Sequence, residues 1–120
     1  MSKRVVVIHG HPDPSGGHFG NALAEAYVQG AVEQSHEVQV IDVAQLEFAL
    51  LRTKQEFESG PVPESIRQSQ LVIQWAQHLV ILFPLWLGTM PALLKGFLEQ
   101  IFRPGFAVAS GRPPDPGNAR

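Results

Sequence analysis

The chain has 120 residues, no cysteine and a formal net charge of −2. This length allows one domain. The lack of cysteine excludes disulfides, thiolate zinc sites and a cysteine nucleophile, and the mild charge disfavours nucleic-acid binding. No apolar stretch reaches the roughly 18 residues of a membrane span, and residues 5–8 are too short an apolar run for a secretory signal, so we expect a cytoplasmic protein without a membrane span.

The first half of the chain predicts a strand–helix–strand unit. Residues 5–8 are a continuous β-branched run, which is typical of a strand buried on both faces. Apolar residues then recur at helical spacing over about residues 19–34. Residues 36–43 are predicted to form a second strand, with apolar residues at 38, 40, 41 and 43. The unit has the size of a βαβ crossover.

The second half predicts a further strand between two helices. Residues 44–62 show no clean period and indicate an irregular connection with about one helical turn, and a helix then runs from Pro63 to about residue 77. Residues 79–83 are the most apolar segment, so we expect a third strand that is central and buried. The clearest helical pattern spans residues 93–102, with Pro91 at a first helical position. The domain therefore covers residues 1–110, and the Pro/Gly-rich residues 111–120 are predicted to be a disordered tail.

Alternating strands and helices predict an α/β fold with a parallel sheet and helices on both faces. In such sheets ligands bind beyond the carboxyl ends of the strands, where the strand order reverses. If the order is 2-1-3, the reversal lies between the first and third strands. The loops at residues 10–18 and 84–90 leave those two strands and are the most unusual in the sequence.

The first loop leads into a helix N-terminus, where free N–H groups and the helix dipole favour an anion such as phosphate. Ser15 and Asn21 can donate hydrogen bonds, and Gly16 with Gly17 allows close approach of the backbone. Asp13 argues against an anion unless it points outward or caps the helix. The alternative is an ordinary Gly/Pro loop that caps a helix.

The second loop offers Leu85, Trp86, Leu87 and Gly88, which suit a flat aromatic ligand that needs an apolar wall and backbone hydrogen bonds. Alternatively, Trp86 is a core residue or part of a subunit interface. Together the two loops favour a ligand like flavin mononucleotide.

Other sequence patterns give weaker evidence for a functional site. His9 and His11 resemble a metal pair, but no third ligand lies close in sequence, so we assign no metal site. His11 and His18 could instead donate to phosphate or to a flavin carbonyl. Lys95 and Glu99 are expected to form a solvated pair. The dinucleotide and Walker fingerprints are absent, as are the acidic residues of a receiver domain.

Two long segments carry a resemblance to a known family. Gly10-His11-Pro12-Asp13-Pro14 with His18-Phe19-Gly20-Asn21 resembles the first flavin loop of the NAD(P)H:quinone oxidoreductase family. The stretch from Phe83-Pro84-Leu85-Trp86-Leu87-Gly88 to Gly96-Phe97, with Pro104-Gly105-Phe106-Ala107, resembles the second signature of that family. The resemblance implies the flavodoxin-like fold, a three-layer α-β-α arrangement, and a homodimer.

The resemblance also implies a site and a reaction. His11, Ser15, Phe19 and Asn21 approach the phosphate side of FMN or FAD, while Pro84, Leu85, Trp86 and Leu87 contact its ring. Hydride passes from NAD(P)H to the flavin and then to a quinone or similar acceptor; the catalytic residues are not assigned.

The resemblance covers about residues 3–109, or about half to two-thirds of a typical family domain, so the chain looks truncated after its third strand–helix unit. The alternative function is therefore a non-catalytic flavodoxin-like fragment or a regulatory, ancillary binding subunit.

Overall fold

A computed structural model describes residues 2–106 and shows an α/β arrangement of three strands and four α-helices in that range. The elements in chain order are β1 (Arg4–His9), α1 (Phe19–Glu33), β2 (Glu37–Asp42), α2 (Lys54–Ser59), α3 (Glu64–Trp75), β3 (His78–Leu82) and α4 (Ala92–Ile101). The tail predicted at residues 111–120 lies outside the described residues, as do the last four residues of the predicted domain.

The sheet is parallel and its strand order is β2-β1-β3, which confirms the predicted order 2-1-3. Val7 of β1 lies opposite Val40 on one side and Val80 on the other. β1 is therefore the central strand, and its residues 5–9 are all buried. This explains why its apolar run is continuous rather than alternating.

The expectation that residues 79–83 form a central, buried strand is wrong for the described part of the chain. β3 has one neighbour, β1, among residues 2–106, and its side chains are only half-buried or exposed. High apolar content predicts a strand but not its place in the sheet, because that place depends on which other segments pair with it.

Helices cover both faces of the sheet, which confirms the three layers. On one face Val6 and Ile8 pack with buried residues of α3 and α4, including Ile73 and Phe97. On the other face Val5 and Val7 pack with Ala24 of α1. Within residues 2–106 no helix is long and apolar enough to cross a membrane.

The segment predicted as an irregular connection holds more structure than expected. A 3-10 turn covers Val43–Gln45. The N-cap of the short helix α2 is Thr53, whose hydroxyl accepts a hydrogen bond from the N–H of Glu56 at 3.0 Å. Arg103, which is buried, donates to the carbonyl oxygens of Glu56, Gly60 and Pro61 at 2.9–3.0 Å. This distant anchor compensates for the weak helical pattern of α2.

The other helix boundaries differ from prediction by one or two residues. Pro63 and Pro91 precede their helices as N-cap residues rather than occupying the first helical position. On α4, the Lys95 ammonium lies 2.9 Å from the Glu99 carboxylate and both side chains are exposed, which confirms the predicted solvated pair.

Candidate functional site

The two predicted loops meet because β1 and β3 are adjacent and parallel. The N–H of Gly10, just after β1, donates to the carbonyl oxygen of Leu82 at the end of β3, at 2.7 Å. A Cβ atom at position 10 would lie 2.7 Å from the buried side chain of Leu94. Glycine is therefore required for the two strand ends to approach each other over α4.

The first loop is folded around its own carboxylate. Asp13 Oδ1 accepts hydrogen bonds from the Ser15 N–H at 2.9 Å and from the Ser15 hydroxyl at 2.7 Å, and Asp13 Oδ2 lies 2.8 Å from Nε2 of His18. These bonds, above all that from the Ser15 hydroxyl, hold the pKa of Asp13 well below its usual range. The carboxylate neither points away from the loop nor caps α1, whose N-cap residue is His18.

His11 joins the two loops. Its ring is buried, stacks on the ring of His18 with 3.9 Å between centroids, and meets Trp86 edge-on at 5.6 Å. Burial first, and then the neighbouring His18, lowers the pKa of His11. Its Nδ1 accepts the N–H of Asp13 at 3.1 Å. The neutral ring therefore carries its proton on Nε2, which is a hydrogen-bond donor.

The second loop forms a tight turn between Trp86 and Thr89, whose backbones exchange two hydrogen bonds at 2.8 and 3.2 Å. Leu87 and Gly88, the central residues, both have positive φ, at 53° and 80°. This is the pattern of a type I′ turn. A leucine in the left-handed region is strained, and such strain concentrates at functional sites.

Three consecutive apolar side chains of this loop face solvent. Leu85 is 72% exposed, Trp86 47% and Leu87 fully exposed. Trp86 is therefore not a core residue within residues 2–106, so the prediction of a core tryptophan is wrong, while its place in a subunit interface stays a prediction. The N–H groups of Leu87 and Gly88 make no hydrogen bond within residues 2–106. The loop thus offers an apolar surface beside unpaired backbone donors.

A groove of about 490 Å³ runs between the start of α1 and the end of β3. It brings together four of the predicted site residues: His11, His18, Phe19 and Pro84. Other predicted residues lie elsewhere. Asn21 accepts the His18 N–H at 3.0 Å through its side-chain oxygen and lines a separate groove between α1 and β2. Leu87 borders a third hollow with Met90 and Lys95.

Six residues that line the groove were not among the predicted site residues: His9, Gly20, Leu23, Ile81, Leu82 and Phe83. His9 is the last residue of β1 and is only 5% exposed. Its Nε2 has no hydrogen-bond partner within residues 2–106, and its Nδ1 lies 3.9 Å from Asp42. The alternation Val5, Val7, His9 along a strand could have placed it on the α1 face. Among residues 2–106, no group of three or more His, Asp or Glu side chains could hold a metal ion.

Comparison with known proteins supports the same fold. A sequence model of the family described as having a flavodoxin-like fold matches residues 3–118. The chain is 27% identical to a ribosyldihydronicotinamide dehydrogenase-like protein of Penicillium crustosum, covering 93% of this chain and 48% of that protein. It is 31% identical to an uncharacterised NAD(P)H oxidoreductase of Haemophilus influenzae, covering 85% and 52%.

Among solved structures, the chain resembles an NAD(P)H:quinone oxidoreductase from Methanothermobacter marburgensis, with a TM-score of 0.72 and 27% identity over 86% of this chain and 54% of that one. A quinone reductase structure from Klebsiella pneumoniae, at 24% identity and a TM-score of 0.67, shows the same fold over 84% and 46%. The chain thus spans about half the length of the relatives that it matches.

Proposed function

The chain belongs to the flavodoxin-like fold family, and we propose that it provides the flavin-binding loops of an NAD(P)H oxidoreductase that reduces a quinone or similar acceptor. The observation that carries this proposal is the exposed apolar segment at residues 85–87, which lies on a strained turn. This turn follows β3 and lies beside the loop after β1, where the strand order of the sheet reverses. The names of the relatives support the reaction class, since those quoted above are oxidoreductases or dehydrogenases.

The second loop fits the ring of a flavin. Leu85 and Trp86 provide an apolar surface for a flat aromatic system, and stacking on such a surface adds about 0.5–1.5 kcal/mol beyond simple burial. The unpaired N–H groups of Leu87 and Gly88 can donate to acceptor atoms at the rim of the ring. The strained backbone of Leu87 fixes the direction of these donors before the ligand arrives.

The first loop fits the phosphate side of FMN or FAD. The N–H and hydroxyl of Ser15 and the rings of His11 and His18 lie together at the start of α1, whose dipole favours an anion. His11 stays neutral because its pKa is lowered, so its Nε2–H donates to phosphate or to a flavin carbonyl. The unpartnered Nε2 of the buried His9 adds polarity beneath the same helix end.

When bound, the flavin supplies hydride transfer, and the protein supplies binding, orientation and electrostatics. NAD(P)H as donor, a homodimer and a cytoplasmic location are parts of the same proposal. Exposed Phe83 provides apolar surface for a second subunit.

A flavin titration of the purified chain tests the proposal. We expect the chain to retain flavin absorbance through gel filtration after incubation with FMN. Replacing Trp86→Ala should weaken flavin binding between about twofold and tenfold, the equivalent of the stacking energy. Trp75→Ala is the matched control, because Trp75 packs against the core below α3 and lies outside both loops.

Equal flavin affinity of the two variants would place the ring elsewhere. A protein that binds neither FMN nor FAD would refute the proposal for this chain.

A further inference from the structure

The carboxylate of Asp13 takes up the hydrogen-bond donors that a phosphate would need. It receives the N–H and the hydroxyl of Ser15, and it contacts Nε2 of His18. Backbone N–H, hydroxyl and imidazole groups are the donors that proteins use for phosphate oxygens. The loop is thus organised around an anion that is part of the chain itself.

Within residues 2–106, the loop has no nearby lysine or arginine side chain that could bind a phosphate. Between Arg4 and Arg52 the sequence contains no lysine or arginine. The charged or titratable side chains around the loop are Asp13, His11 and His18, with Asp42 and the buried His9 further along the sheet edge. A phosphate bound at this loop would therefore need a hydrogen bond from His18, the same residue that Asp13 contacts.

Two anions cannot share these donors at low cost. An aspartate is ionised at neutral pH even at its ordinary pKa, and the hydrogen bonds of Asp13 lower its pKa further. A phosphate within hydrogen-bond distance of Ser15 and His18 meets a like charge at close range, which is unfavourable. Phosphate binding and the Asp13 contacts are therefore mutually exclusive in the loop as it is folded here.

We propose that Asp13 is a built-in competitor of the flavin phosphate, so that the loop must release this carboxylate before a phosphorylated flavin binds. The inference rests on the proposed function, because it assigns the phosphate to this loop. It makes Asp13 a residue that sets affinity for the phosphate while leaving affinity for the ring unchanged.

The test compares FMN with riboflavin, which has the same ring and no phosphate. Asp13→Asn keeps a side-chain oxygen that can accept from Ser15 but removes the charge. We expect this variant to bind FMN at least about tenfold more tightly than the original chain and to bind riboflavin equally well. Glu33→Gln, at the other end of α1, is the control for charge removal and should change neither affinity. An unchanged or weaker FMN affinity in Asp13→Asn would overturn the proposal, since it would mean that the carboxylate pre-organises the loop.

A second measurement separates failure of this inference from failure of the proposed function. Inorganic phosphate is titrated into each variant while the imidazole resonances of His18 are followed by NMR. We expect phosphate to shift these resonances in Asp13→Asn at concentrations that leave the original chain unchanged. If no variant binds any flavin, the proposed function fails, and the phosphate titration still decides the role of Asp13. Equal shifts, or no shift, in both proteins would overturn the inference.

Discussion

Replacing Gly10→Ala tests whether the two strand ends are packed as tightly as the structure shows. The new Cβ atom would lie 2.7 Å from Cδ2 of Leu94 and 3.2 Å from the carbonyl oxygen of Leu82. Leu94 is fully buried and cannot turn into solvent. The loop cannot retreat without loosening the bond from the Gly10 N–H to Leu82. Overpacking of this kind costs about 1–3 kcal/mol.

The matched control is Gly30→Ala in the last turn of α1, where an added Cβ meets no atom within 4 Å. An alanine in a helix interior is favoured over glycine by about 0.5–1 kcal/mol. We therefore expect the two substitutions to change the free energy of unfolding with opposite signs. Urea unfolding followed by circular dichroism at constant pH measures both.

A Gly10→Ala variant as stable as Gly30→Ala would refute the packing argument. Adding Leu94→Ala provides a further check, because its smaller side chain leaves room for the new methyl group. The double variant should lose less stability than the sum of the single ones.

Two further predictions concern stability. Arg103→Ala removes three hydrogen bonds to carbonyl oxygens of the α2 segment and should cost about 2–4 kcal/mol in urea unfolding. Arg67→Ala, which breaks an exposed pair with Glu64, should cost less than about 1 kcal/mol, and equal losses would contradict the anchoring role. Because the pKa of His11 is lowered in the folded chain, its contribution to stability is present above its ordinary pKa of 6.5 and is lost as the pH falls below that value. The urea midpoint should therefore drop less between about pH 7.5 and pH 5.5 in His11→Gln than in the original chain, and identical slopes would show that His11 does not couple to folding.

The sequence predicted the elements and the strand order because the patterns that specify them lie in residues close together along the chain. A continuous β-branched run indicated β1, and helical periodicity indicated α1 and α4. The exposure of β3 was not predictable in this way, because burial depends on which segments pair with a strand. The helix α2 depends on Arg103, more than forty residues away along the chain, and no local pattern reports such a contact.

The candidate site was predictable in its location and only partly in its contents. The sequence located the second loop at residues 84–90, but nothing in it indicated that Leu87 would adopt a positive φ. Asp13 was ambiguous, since an acidic residue in a phosphate loop can point in several directions. Its hydrogen bonds to Ser15 and its contact with His18 depend on backbone geometry that Gly16 and Gly17 set, both at positive φ.

The two faces of the sheet bury different numbers of apolar residues, and this difference affects which helices open locally first. Within residues 2–106, three buried apolar residues form the core under α1, whereas ten form the core under α3 and α4. Segments with little buried apolar area exchange their amide hydrogens through low-energy local opening. We therefore expect the amides of α1 to exchange before those of α4. Since the first loop ends at the start of α1, a ligand held there slows exchange mainly in the layer that opens most readily, and the pattern of protected amides would reveal where it binds.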